Sequence, residues 1–156
     1  MNKKVEALIL IWLFTNLIQF TVIPHEFGHL LMATALNCDI YSTKLVQPHF
    51  YYFFILIEGK FLSKCSNPTS DALVALGGLL ITLFIIIILF SLPYPFHYFG
   101  LMALGLELAG IFQDTLIFVE SFYPSVLIAR TIASSVTFIG LFLYFLGALL
   151  FVMKYE

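Results

Sequence analysis

The run Pro24-His25-Glu26-Phe27-Gly28-His29-Leu30 contains the pattern HExxH. On a helix, residues four apart lie one above the other on the same face, so the imidazoles of His25 and His29 can grip one metal ion. Glu26 stands about 100° round the helix from His25, beside the ion rather than on it. From there its carboxylate can take a proton from a water on the metal and later deliver it to a leaving amine. Zinc suits this set, because it accepts imidazole and carboxylate and lowers the pKa of bound water to about 7.

The motif lies in an apolar stretch. A charged side chain inside a membrane costs roughly 2.5–3.5 kcal/mol on insertion scales, so an ionisable residue there is functional by default. That cost disfavours the bland alternative, two histidines packed in a bundle with Glu26 as their hydrogen-bond partner.

A catalytic zinc site needs a third protein ligand and an open fourth position. Glu107, Asp114 and Glu120 are the carboxylates of one later apolar stretch. Counted from the ends of their spans at about 1.5 Å per residue, His29 and Asp114 differ in depth by about 3 Å, whereas Glu107 lies about 10 Å further in than Asp114. Asp114 is the preferred third ligand and Glu107 the second choice. The competing reading of Asp114 is a helix-end carboxylate reaching water.

The elements that position these residues follow from composition. Of 156 residues, 62% are hydrophobic and only 10% charged, against about 25% charged in an ordinary soluble domain. Such a chain cannot cover a soluble globule, and it is too apolar for disorder. The net charge of -2 offers no basic field for nucleic acid. The expectation is an all-α polytopic membrane protein, a single integral membrane domain over 1–156. Its partners would be the lipid bilayer and a membrane-protein substrate.

Four stretches reach the roughly 20 apolar residues a bilayer demands: 5–36, 72–92, 97–119 and 126–153. Asn37 is a plausible stop for the first. Pro93, Pro95 and Pro124 punctuate the later turns. Lys3 and Lys4 precede the first span as in a secretory signal, but no small-x-small site follows, so it reads as a retained span. Lys44, Lys60, Lys64 and Arg130 on one side against Lys3, Lys4 and Lys154 on the other give no positive-inside bias.

Residues 37–71 form the expected extramembrane loop. Their centre, 49–57, is aromatic and β-branched, and too short to span as a helix. It reads as a strand paired with 40–46 or 60–63 in a short hairpin near the membrane surface, or as an interfacial aromatic segment without a partner. Cys38 and Cys65 are too few for a disulfide framework and are not at zinc-ribbon spacing. They can pair only if the loop faces an oxidising compartment, and are otherwise free thiols.

Smaller features agree with a packed metal site. Ala72, Ala75 and Gly78 make a small-residue stripe, Gly77 and Gly78 lie at the depth of His29, and Gly28 sits inside the motif. Small residues let membrane helices approach closely. Pro24 cannot donate to the carbonyl of Phe20, so a kink there could open a wet pocket. Asn16, Gln19 and Gln113 are further polar candidates, either for water and outer hydrogen bonds or simply for linking helices.

With these residues in view, the chain resembles the site-2 protease family of intramembrane zinc metalloproteases. The resemblance rests on His25-Glu26-Phe27-Gly28-His29 within a span, a Gly-Gly pair in the next and an aspartate in a later one. It implies a small helical core with buried zinc, ligands His25, His29 and Asp114, and Glu26 as catalytic base. It also implies a β element, here 40–62, that holds the substrate as an added strand. The family's aspartate usually follows an Asn-Pro-rich segment ending Leu-Asp-Gly, whereas here it stands in Gly110-Ile111-Phe112-Gln113-Asp114-Thr115. The expected activity is zinc endopeptidase action in or near transmembrane segments. The alternatives are a membrane protein that binds or moves metal without hydrolysis, or an inactive relative that anchors partners; four short spans without inverted halves argue against a transporter.

Overall fold

The computed structural model describes residues 2–51 and 54–155. The first apolar stretch forms α1 (Lys3–Ile18) and α2 (Val22–Ala35), joined by a 3-10 turn at Gln19–Thr21. That turn stands where Pro24 withholds its N–H, so the backbone tightens rather than breaking, and Lys3–Ala35 remains one span-length helix. Asn37 ends it in the left-handed conformation (φ 53°), and the Cys38 N–H returns to the Ala33 carbonyl. Asparagine tolerates that conformation at a helix C-terminus.

The chain then makes a two-stranded antiparallel sheet, β1 (Asp39–Tyr51) and β2 (Phe54–Lys64). It is longer than the short hairpin expected, and its register corrects the reading of 49–57 as one strand. His49 pairs with Leu56, Phe50 with Ile55 and Tyr51 with Phe54, so that segment is the folded tip. Tyr52 and Phe53, at its centre, lie outside the described residues. Both proposed partners are instead partners of each other, Ile40 facing Ser63 and Lys44 facing Lys60.

The hairpin folds back against the helices. Near its tip the Ile55 N–H donates to Asn16 Oδ1 at 2.8 Å, close to the middle of the first span-length helix. Asn16 thereby satisfies a backbone donor that the two-stranded ladder leaves on its outer edge. At the base, the Cys38–Cys65 disulfide ties the two strand ends together, and the Cys65 N–H donates to Asp71 Oδ1 at 3.0 Å.

α3 (Pro68–Ser91) starts four residues before the expected span, with Asn67 as N-cap and Pro68 in the first turn. The third expected span is not one straight helix. It is α4 (Phe96–Gly110) and α5 (Phe112–Phe122), bent by 59° at Ile111. Gly110, a poor helix residue, immediately precedes the break. α6 (Val126–Lys154) closes the bundle. Among the described residues, three helices are long and apolar enough to cross a membrane, or four if the bent pair is one span.

Large apolar side chains such as Leu13, Phe84, Leu127, Phe138 and Phe142 point outward, an exposed apolar surface of the kind that marks contact with a membrane or a partner. Inside, Ala7, Met102 and Phe151 pack at one end, Ile18, Ile86 and Ala103 near the middle, and Ala33, Val74 and Cys65 towards the hairpin base. The HExxH helix passes between the last two clusters.

Candidate metal centre

α2 contributes the two imidazoles. His29 is fixed first: its Nδ1 lies 2.7 Å from the Val74 carbonyl of α3. A carbonyl can only accept, so Nδ1 carries the proton and Nε2 presents its lone pair inward. His25 Nε2 lies 2.9 Å from His29 Nε2. Asp114 Oδ2, from the first turn of α5, lies 3.0 Å from His25 Nε2 and 3.5 Å from His29 Nε2. Two imidazole nitrogens and a carboxylate oxygen thus converge within 4.8 Å of one another.

This convergence has a chemical meaning. The His29 nitrogen is an acceptor, the carboxylate is an acceptor, and the second imidazole faces both. A cation between them satisfies all three groups, and two histidines with one carboxylate form a recognised catalytic zinc set. The three residues therefore fit a zinc ion.

The helices can come this close because of glycine. A Cβ on Gly28 would collide with the Gly77 carbonyl, so α2 and α3 touch backbone to backbone. Gly78 does more than permit contact: a Cβ there would stand 2.7 Å from both His25 Nε2 and His29 Nε2. The absent side chain at Gly78 leaves the space in front of the two nitrogens.

Glu26 points to the same cavity from α2, under β2. Its Oε2 is buried and has no hydrogen-bond partner among the described residues, so the carboxylate has capacity to hold a water or a proton. Gly59 of β2 lies directly over it, where a Cβ would overlap Glu26 Cγ and come within 2.6 Å of Oε1. Two residues on, the Phe61 ring lies 6.0 Å from that of His29 and nearly parallel to it. The second strand is thus a roof over the motif. The cavity beneath has a volume of about 1130 Å³ and is bounded by Glu26, Leu56, Lys60, Gln113 and Glu120 as well as the three converging residues.

Glu107 does not join the three. Its Oε1 lies 2.8 Å from His25 Nδ1, on the opposite edge of the ring from Nε2, and accepts from Thr82 Oγ1 at 2.6 Å. Gln19 and Gln113 line the cavity without hydrogen-bonding His25, His29 or Asp114. Asn16 links the first span to the hairpin tip.

Sequence reasoning overlooked Thr82, Gly59 and the Val74 carbonyl. Thr82 carried a signal, being the sole hydroxyl or charged residue of α3 between Asp71 and Ser91. Gly59 and Val74 carried none, because their roles depend on which backbone meets the motif. Comparisons with protein-family models, with curated proteins and with solved structures find no match to this chain.

Proposed function

We propose that this protein is an intramembrane zinc endopeptidase of the site-2 protease type, cutting peptide bonds in or next to transmembrane segments of other membrane proteins. The observation that carries the reading is the convergence of His25 Nε2, His29 Nε2 and Asp114 Oδ2 beside Glu26, with both histidines on a helix of membrane-spanning length. His25, His29 and Asp114 would hold the ion. Zinc, when bound, supplies a Lewis acid for the scissile carbonyl and makes a neighbouring water more acidic.

The chain's own residues supply the rest. Glu26 takes a proton from the attacking water as its oxygen bonds to the carbonyl carbon. It then gives that proton to the departing amine nitrogen as the C–N bond breaks, leaving a carboxylic acid and an amine. A helical substrate hides its peptide bonds, so the scissile segment must be extended. The second strand of the hairpin, running over Glu26 and His29, offers an edge on which such a segment adds as a further strand. Gly59 on that edge leaves Glu26 its room.

A metal carrier is favoured less, because a binding site alone gives no role to a carboxylate beside the ligands roofed by a strand. The test is cleavage of single-span membrane proteins co-reconstituted with the protein in liposomes, read by mass spectrometry. Glu26→Gln should lower cleavage by roughly 10²–10⁴-fold while retaining zinc. Comparable cleavage by wild type and Glu26→Gln would contradict the proposal.

A further inference from the structure

We infer that Glu107 and Thr82 form a positioning pair that sets the orientation and proton arrangement of His25 for metal binding. The inference rests on the zinc reading above.

His25 differs from His29 in how its ring is held. The carbonyl behind His29 leaves no choice of tautomer, whereas a free His25 could place its proton on either nitrogen. Bound Nε2-protonated, it would point N–H at the place where the ion must sit. Glu107 decides this. Its Oε1, 2.8 Å from Nδ1, accepts the Nδ1–H, and Nε2 is left with its lone pair beside Asp114 and His29. A carboxylate at that distance cannot share the ion with Nε2, since the ring lies between them.

Thr82 then holds Glu107. Its hydroxyl lies 2.6 Å from Oε1 and is 1% exposed as a residue. The same oxygen lies 3.1 Å from the Gly78 carbonyl, one turn earlier on α3. One helix therefore serves both sides of His25, with Gly78 clearing the metal face and Thr82 bracing the carboxylate behind. Two polar groups so deep among apolar helices would be costly without such a role. Outer-shell partners of this kind orient metal-bound histidines and raise their basicity.

The test is zinc affinity of the purified protein, measured by competition with a chromophoric chelator, together with the visible spectrum of the cobalt(II) form. Glu107→Gln keeps the volume but replaces a charge-assisted hydrogen bond with a weaker neutral one. We expect zinc affinity to fall roughly 10-fold in Glu107→Gln and up to about 100-fold in Glu107→Ala, with altered cobalt bands. Thr82→Val, which keeps the shape, should weaken zinc in the same direction, and Thr82→Ser should restore it. A purely structural role would lower thermal stability and leave the affinity of folded protein unchanged. Affinity within twofold of wild type in both Glu107→Gln and Thr82→Val would overturn the inference. A wild type that binds no zinc would take down the metal reading, and this role with it.

Discussion

His25 Nε2 lies 3.0 Å from Asp114 Oδ2, although 89 residues separate them in the chain. One comes from the first span-length helix and the other from the first turn after a 59° bend. The bend places Asp114 at the beginning of α5, where a carboxylate also faces the positive end of the helix dipole. A helix continuing straight from α4 would carry that turn along a different line.

Gly78 should be the most sensitive glycine for metal binding. Gly78→Ala would place a methyl 2.7 Å from both Nε2 atoms, in the space the ion would use. The account predicts loss of zinc by at least about 10-fold, with the destabilisation of roughly 1–3 kcal/mol usual for overpacking. Metal analysis beside thermal denaturation separates the two effects. Full zinc affinity in Gly78→Ala would show that the nitrogens do not share that space.

Gly59 should separate catalysis from metal binding. Gly59→Ala must push the Glu26 side chain aside, since the three atoms nearest the added methyl all belong to Glu26. Zinc content should match wild type while peptide cleavage falls by about 10²-fold or more, since general acid–base catalysis depends on hydrogen-bond reach. Unimpaired cleavage would remove the second strand from the site.

The roof is pinned at its tip by Asn16 and at its base by the Cys38–Cys65 disulfide. Closing a loop of 27 residues constrains the unfolded chain by about 3–4 kcal/mol. The pair substitution Cys38→Ser with Cys65→Ser, or Asn16→Ala, should therefore raise amide exchange across Phe54–Lys64 more than across α3. Uniform exchange in all three proteins would mean that neither pin holds the strand.

Much of this was legible in the residues. HExxH fixed three side chains through helical periodicity alone, and the hydropathy of four stretches marked the helices. Depth counting picked Asp114 over Glu107, and the two now stand on different nitrogens of His25. The bend at Ile111 was hidden because no proline marks it, and a glycine in an apolar helix is ordinary. The hairpin was misread at its centre: 49–57 is uniformly β-prone, so propensity could not show that the chain reverses within it. Its course beside the first span depended on Asn16 meeting Ile55, a contact that no local pattern encodes.

Whether the three residues hold a metal is read from the zinc content of purified protein, for wild type beside His29→Ala, Asp114→Ala and Glu26→Gln, after loading with zinc and exhaustive buffer exchange. The account predicts one zinc per chain in wild type and in Glu26→Gln, and loss of zinc in His29→Ala and Asp114→Ala. Stoichiometric zinc in Asp114→Ala, or none in the loaded wild type, would contradict it.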